Sequence, residues 1–195
     1  MTIIRNVMID TETLSLCPDA AIVDVGAVYR DASGLACMFE CSVSPRQYSV
    51  QHREFHIDPK TIAWHKQNNR ANLDEYFRSE ETPQSMAGKL VDFLEQAKEG
   101  GQYELKIWCC GTDFDIPKLE HLLSPSRGVH KLPWKYSNVA DYRTLRDLFP
   151  AAMRKVPRNE NKHGALSDAV HQFLVLEEIL KGLSYNTPEV NYLGD

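Results

Sequence analysis

Three short stretches of the sequence put acids where apolar segments end. The first is Met8-Ile9-Asp10-Thr11-Glu12-Thr13, which closes an apolar run beginning at Ile3. Alternation along an extended chain places Asp10 and Glu12 on one face. Two carboxylates beside a buried segment are costly unless water, a partner or a cation compensates them. Taken alone, the motif fits a strand end surfacing into solvent equally well. The second stretch, Ile107 to Pro117 (IWCCGTDFDIP), reads as a strand, a glycine-containing turn and a helix start. Asp113 or Asp115 there would either cap the helix or face the first motif. The third is His163-Gly164-Ala165-Leu166-Ser167-Asp168-Ala169. It offers a loop histidine followed by an acid one turn into a helix, close to apolar neighbours where an isolated acid is unusual.

Carboxylates brought together from three segments would repel, so a shared site calls for cations. An all-oxygen ligand set suits Mg²⁺ or Mn²⁺. Two such ions roughly 3.5–4 Å apart form the clamp used for in-line attack at phosphorus. His163, with a near-neutral pKa, is the candidate general base for the attacking water, so the rate should rise with pH as it loses its proton.

These motifs need elements to hold them. Ile3 to Ile9, apolar on both faces apart from Arg5 and Asn6, reads as a central strand. Ala21 to Tyr29 and Leu35 to Val43 read as two more strands, joined antiparallel by a turn at Asp31-Ala-Ser-Gly34. Helices are expected over Pro59–Asn69, capped by Asp58, and over Pro83–Lys98, capped by Thr82, with Met86, Leu90, Phe93, Leu94 and Ala97 on one face. Further elements are a strand at Leu105–Cys109, a helix at Ile116–Leu123, a strand at Tyr136–Ala140 and a helix at Tyr142–Phe149. The last helix, Ala165–Leu183, should bury Leu166, Val170, Phe173, Leu174 or Leu176, and Leu180. Residues 46–58 and 154–164 show no periodicity and read as loops. The order predicts an α/β fold, a mixed sheet flanked by helices, with the 105–109 strand beside the first.

The chain has 195 residues, which suits a single domain over 1–195 with its core at about 5–182. Hydrophobic residues are 43% and charged residues 25%, a balance that excludes disorder as the main state. No apolar run approaches the roughly 20 residues of a membrane span, so no membrane partner is expected. The start lacks a signal-peptide pattern, and five cysteines at non-zinc spacings read as reduced thiols of a cytoplasmic protein. The net charge of −5 does not advertise nucleic-acid binding, although charge can be local and acids can be neutralised by bound cations.

The set Asp10-x-Glu12, Phe114-Asp115 and His163-x4-Asp168 resembles the DEDDh branch of the 3′–5′ exonuclease superfamily, which includes proofreading subunits and ribonuclease T. The stretches MIDTET, AAIVDVGAVY and IDPKTIAWHKQ are most similar to the phage exodeoxyribonucleases of DexA type and the adenylate-preferring exoribonucleases of RNase AS type. The resemblance implies an RNase H-like fold with a five-stranded mixed sheet. It implies that Asp10, Glu12, Asp115 and Asp168 hold two Mg²⁺, with Mn²⁺ able to substitute, and that His163 activates the water. Thr13 by its backbone and Leu14 by its side chain would touch the terminal nucleotide, with Thr11 and Phe114 beside them. Asp115 is preferred to Asp113 because it follows Phe114. Two departures stand out: Cys110-Gly111 replaces the usual Asn-Gly, and His65 stands where relatives often carry a second aromatic.

Arg154 to His163 holds four basic residues against one acid. Arg158 and Lys162 there would track a phosphate backbone. Trp64 is a candidate base platform and Trp108 a core residue, while His52, Arg53 and His56 read as exposed loop residues and His171 as a surface or hydrogen-bonded one. The expected activity is divalent-metal-dependent 3′–5′ hydrolysis of a single-stranded 3′ end, DNA ahead of RNA, releasing nucleoside 5′-monophosphates. The alternatives are an exoribonuclease acting on RNA 3′ tails, a non-catalytic nucleic-acid-binding module and an endonuclease or integrase on the same sheet. Related enzymes are often dimers, which makes a homodimer an expectation here.

Overall fold

In a computed structural model, which describes residues 3–50, 54–125, 128–129, 131–158 and 164–186, five strands form one sheet. They are β1 (Ile3–Thr13), β2 (Ile22–Arg30), β3 (Ala36–Ser42), β4 (Tyr103–Cys109) and β5 (Val139–Asp141). The order is β3-β2-β1-β4-β5. β1 pairs antiparallel with β2, and β2 with β3, while β1–β4 and β4–β5 are parallel. The apolar run Val7-Met8-Ile9 is fully buried because β1 is the central strand and has helices over both faces. The fold is the RNase H-like mixed sheet that the sequence predicts.

β1 runs four residues further than expected. Asp10 to Thr13 stay in the ladder, opposite Gly26, Val25, Asp24 and Ile22, with an irregularity between Glu12 and Thr13. The acids therefore sit within a strand rather than beyond its end. The β2–β3 turn forms as predicted. Asp31 Oδ1 accepts from the backbone N–H groups of Ser33 and Leu35, and Gly34 takes a φ of 84°.

Eight helices are described: α1 (Pro45–Val50), α2 (Pro59–Asn68), α3 (Arg70–Tyr76), α4 (Pro83–Ala97), α5 (Thr112–Leu122), α6 (Tyr142–Leu148), α7 (Pro150–Lys155) and α8 (Ala165–Asn186). Asp58 caps α2 and Thr82 caps α4, as their sequences predict. α1 and α3 are short helices in segments without amphipathic periodicity, and they form through tertiary contact. Tyr48 of α1 is buried with its hydroxyl on Ile22 O, and Leu73 and Tyr76 of α3 are buried in the core. Pro150 does not simply end α6; it opens α7, where its missing N–H costs nothing. The strand expected at 136–140 is a 3-10 turn over 136–138 followed by β5. None of the described helices is long and apolar enough to cross a membrane, and all five cysteines are free thiols.

One face of the sheet meets α4 and α5 through Met86, Leu90, Leu94, Ile116, Leu119 and Leu122. Each leucine buried there contributes about 1.5–3 kcal/mol. The other face carries Met8, Val28 and Trp108, covered by Tyr142 of α6, Ala152 of α7 and Phe173, Leu176 and Ile179 of α8. α8 buries Ala165 and Ala169 rather than the expected Leu166, and Leu174 stays exposed. The reason is a close approach. A Cβ on Gly26 would lie 2.1 Å from Leu166 N and 2.2 Å from Ala165 C, so the helix start rests directly on the β2 backbone. Only small residues fit the face of the helix turned toward that crossing.

Candidate active site

Three elements bring acids together at the carboxyl end of β1. β1 presents Asp10 and Glu12 on the face under α8. The first turn of α8 brings Asp168 over them. One carboxylate oxygen from each of the three lies within 4.8 Å of the others. Asp115 comes from α5. Gly111, at φ 104°, turns the chain directly from β4 into this helix, so α5 starts four residues earlier than the sequence predicts. Asp141 ties that turn down, accepting from Thr112 N at 2.9 Å and Thr144 N at 2.7 Å. Arg143 braces it from below by donating to Cys110 O at 2.8 Å.

Asp115 is buried and accepts from Thr11 Oγ1 at 2.6 Å. It lies outside the tight three-acid group but lines the same cavity, of about 500 Å³, with Asp10 and Asp168. Asp113, the neighbouring acid, is exposed. Three arginines, Arg143, Arg146 and Arg158, border the cavity with His171, between apolar residues such as Tyr142, Met153 and Val156. A second cavity, also about 500 Å³, lies on the other side of Thr11 and Phe114, which border both, and is lined by Glu12, Thr13, Leu16, Trp64 and His65.

Burial sets the electrostatics. Desolvation, then repulsion from Asp115, pushes the Asp10 carboxyl well above its ordinary range. Glu12 is pushed up to about 8, by desolvation first and then by Asp168 and Asp24. Asp115 rises to about 6 through burial, although the Thr11 hydrogen bond and the Lys118 ammonium pull it down. The chain compensates these acids sparsely. Gln172 Nε2 donates to Asp10 at 2.7 Å and Arg158 Nη2 to Asp168 at 2.7 Å. Among the described residues, Glu12 has no donor. An oxygen-only set this crowded is short of positive charge, and hard divalent cations match it.

The remaining expected site residues divide. Thr13 is buried, with its carbonyl accepting from His65 Nε2 at 2.9 Å. That bond gives His65 a structural role at this position. Leu14 must be corrected: its side chain is wholly buried in the core and offers no surface to a nucleotide. Trp64 is 55% exposed at the rim of the second cavity, edge-on to His65. Phe114 lies beneath the Lys118 ammonium, 3.3 Å from its ring centre. Arg158 pairs with an acid here rather than standing free. His171 is half-buried in the cavity wall. Trp108 is core, as expected, and donates to Asn6. His56 is bound to Ser15. His163 and Lys162, with His52 and Arg53, lie outside the described residues. Sequence reading missed Asp24, Gln172 and the arginines of α6. Asp24 did carry a signal, an acid in the middle of the apolar run AIVDVGAVY.

A family model for the Rv2179c-like 3′–5′ exoribonuclease domain matches residues 5–180. The chain belongs to that family. No curated protein matches the sequence. Among solved structures, exonuclease I is similar at 12% identity with a TM-score of 0.60, over 91% of this chain and 41% of that one. E. coli exonuclease I in complex with a 5cy-dA13 oligonucleotide gives 12% identity and a TM-score of 0.57, over 91% and 40%. Its zinc-bound complex with single-stranded DNA gives 12% and 0.59, over 94% and 42%. The family member thus spans about two fifths of these proteins, and at such identity the likeness is one of fold.

Proposed function

We propose that the chain is a divalent-metal-dependent exonuclease that removes nucleoside 5′-monophosphates from single-stranded 3′ ends. RNA comes first as substrate, because the family is one of exoribonucleases. DNA, which the sequence put first, is the competing arm of the test. The observation that carries the reading is the group of carboxylate oxygens from Asp10, Glu12 and Asp168 within 4.8 Å, with Asp115 on the same cavity wall. These four acids would hold two Mg²⁺ or Mn²⁺. Cations held there would supply the positive charge to polarise the scissile phosphate, acidify a water and offset charge on the leaving 3′-oxygen.

The chain's own residues do the rest. Thr11 holds the Asp115 carboxylate in place. Gln172 orients Asp10. His163 takes the proton of the attacking water. The cavity under Trp64 and Phe114 receives the terminal nucleoside, with the Thr13 backbone as its floor, and Arg158 with Lys162 meets the phosphates behind it.

The test is digestion of matched 5′-labelled RNA and DNA oligonucleotides with Mg²⁺, then with EDTA. A ladder shortening from the 3′ end, lost in EDTA, is the expected result. Retardation without shortening would instead make the chain a binding module, and cleavage of a circular strand an endonuclease. A faster RNA ladder fits the exoribonuclease reading, and a faster DNA ladder assigns the chain to deoxyribonucleotide ends.

A further inference from the structure

Asp24 and Glu12 face each other across the β1–β2 ladder and project on the same side of the sheet. Their surroundings are opposite. Glu12 has no donor among the described residues. Asp24, almost fully buried, is filled: Oδ1 accepts from Ser42 Oγ at 2.9 Å, and Oδ2 accepts from Ala165 N at 3.1 Å and from Tyr76 OH at 3.4 Å. A carboxylate occupied in this way has little left to give a cation. A neighbour without donors has everything left to give.

The Ala165 bond is the informative one. Ala165 is the first residue of α8, and its amide has no partner within the helix. Asp24 supplies that partner from the sheet. Two residues along β2, Gly26 lets the backbone at Ala165 and Leu166 come into direct contact. Gly26 in turn stands opposite Asp10. The helix start is thus fixed at two adjacent points of β2, one polar and one steric. Asp168, whose amide bonds Gly164 O at 3.0 Å in the first helical turn, follows rigidly from there. Asp10 and Glu12 lie on the neighbouring strand.

We infer that Asp24 is a positioning residue: by holding the Ala165 amide it sets the height of α8 on the sheet, and with it the distance from Asp168 to Asp10 and Glu12. The inference rests on the reading of those three acids as cation ligands. It requires an acceptor oxygen at residue 24 rather than a charge. Asn fits that requirement and Ala does not.

The experiment measures Mn²⁺ affinity by calorimetry, independently of cleavage. Asp24→Ala should weaken Mn²⁺ binding at least fivefold, and Asp24→Asn should bring it back to within twofold of the wild type. Thr82→Ala, which uncaps α4 on the opposite face, should lower the melting temperature and leave Mn²⁺ affinity unchanged. The Ala165 amide, followed by hydrogen exchange, should be protected in the wild type and in Asp24→Asn. That measurement stands even if Asp24→Ala does not fold. Unchanged Mn²⁺ affinity in Asp24→Ala, an Asn variant as weak as Ala, or an unprotected Ala165 amide in the wild type overturns the anchoring. Failure of the wild type to bind Mn²⁺ overturns the cation reading, and the anchoring with it.

Discussion

Without cations, the acids at the end of β1 should destabilise the protein, and Glu12→Gln measures by how much. Folding raises the Glu12 carboxyl from its ordinary 4.5 to about 8. Below about pH 4.5 the folded and unfolded chains both carry the proton, and the metal-free site costs least. As pH climbs toward 8 the unfolded chain releases its proton first, so stability falls across that window. At about 1.4 kcal/mol per pH unit the ceiling is about 5 kcal/mol. Glu12 is not sealed from solvent, and screening reduces the expected gain to about 2 kcal/mol. For a domain of this size that is a rise of about 4–8 °C in melting temperature. The assay is thermal unfolding in EDTA at pH 4.5 and pH 8. Glu12→Gln should melt above the wild type at pH 8 and beside it at pH 4.5. Adding Mn²⁺ at pH 8 should raise the wild type more than the variant. Equal melting temperatures at pH 8 in EDTA would refute the account of a repulsive, cation-seeking cluster.

Three further outcomes are expected. Asp115→Ala should reduce cleavage of a labelled oligonucleotide to background while circular dichroism stays that of the wild type; an unfolded variant or normal turnover counts against its assignment. Trp64→Ala should raise KM for oligonucleotides by about 5–150-fold, the worth of one lost base stack of about 1–3 kcal/mol, with kcat little changed; an unmoved KM removes Trp64 from the binding surface. Gly26→Ala should destabilise the fold in urea and weaken Mn²⁺ binding, because the added methyl meets backbone at 2.1 Å; a variant as stable as the wild type would refute the direct contact between the helix start and the β2 backbone.

The sheet was legible because its strands announce themselves. Val7 to Ile9 is apolar on both faces, the 31–34 turn carries its own Asp and Gly, and the order of elements leaves few ways to assemble them. The acids were legible as residue types but not as a geometry. Nothing local to Asp115 says that Thr11 will hold it, or that Asp141 and Arg143 will brace the turn before it. The misread elements share one cause: α1, α3 and α7 are short, and their buried residues answer to distant neighbours rather than to a helical period. On α8 the expected Val170, Phe173, Leu176 and Leu180 do pack inward, and only Leu166 departs, since Gly26, far away in sequence, decides that Ala165 and Ala169 lie inward at the helix start. Leu14 went wrong because a motif position was given a surface role, while its strand-end neighbours draw it into the core.

The Asp31–Gly34 turn lies at the end of β2 remote from Asp24, six residues and about 20 Å along the strand. A Cβ on Gly34 would meet nothing within 4 Å, and the loop's bonds are its own, apart from the Arg30 side chain on Gly34 O. Such a tip is a natural attachment point. A fluorophore, an affinity handle or a surface tether grafted there would ride on the hairpin and leave the mouth of the acid-lined cavity unobstructed, so the protein can be immobilised and watched one molecule at a time.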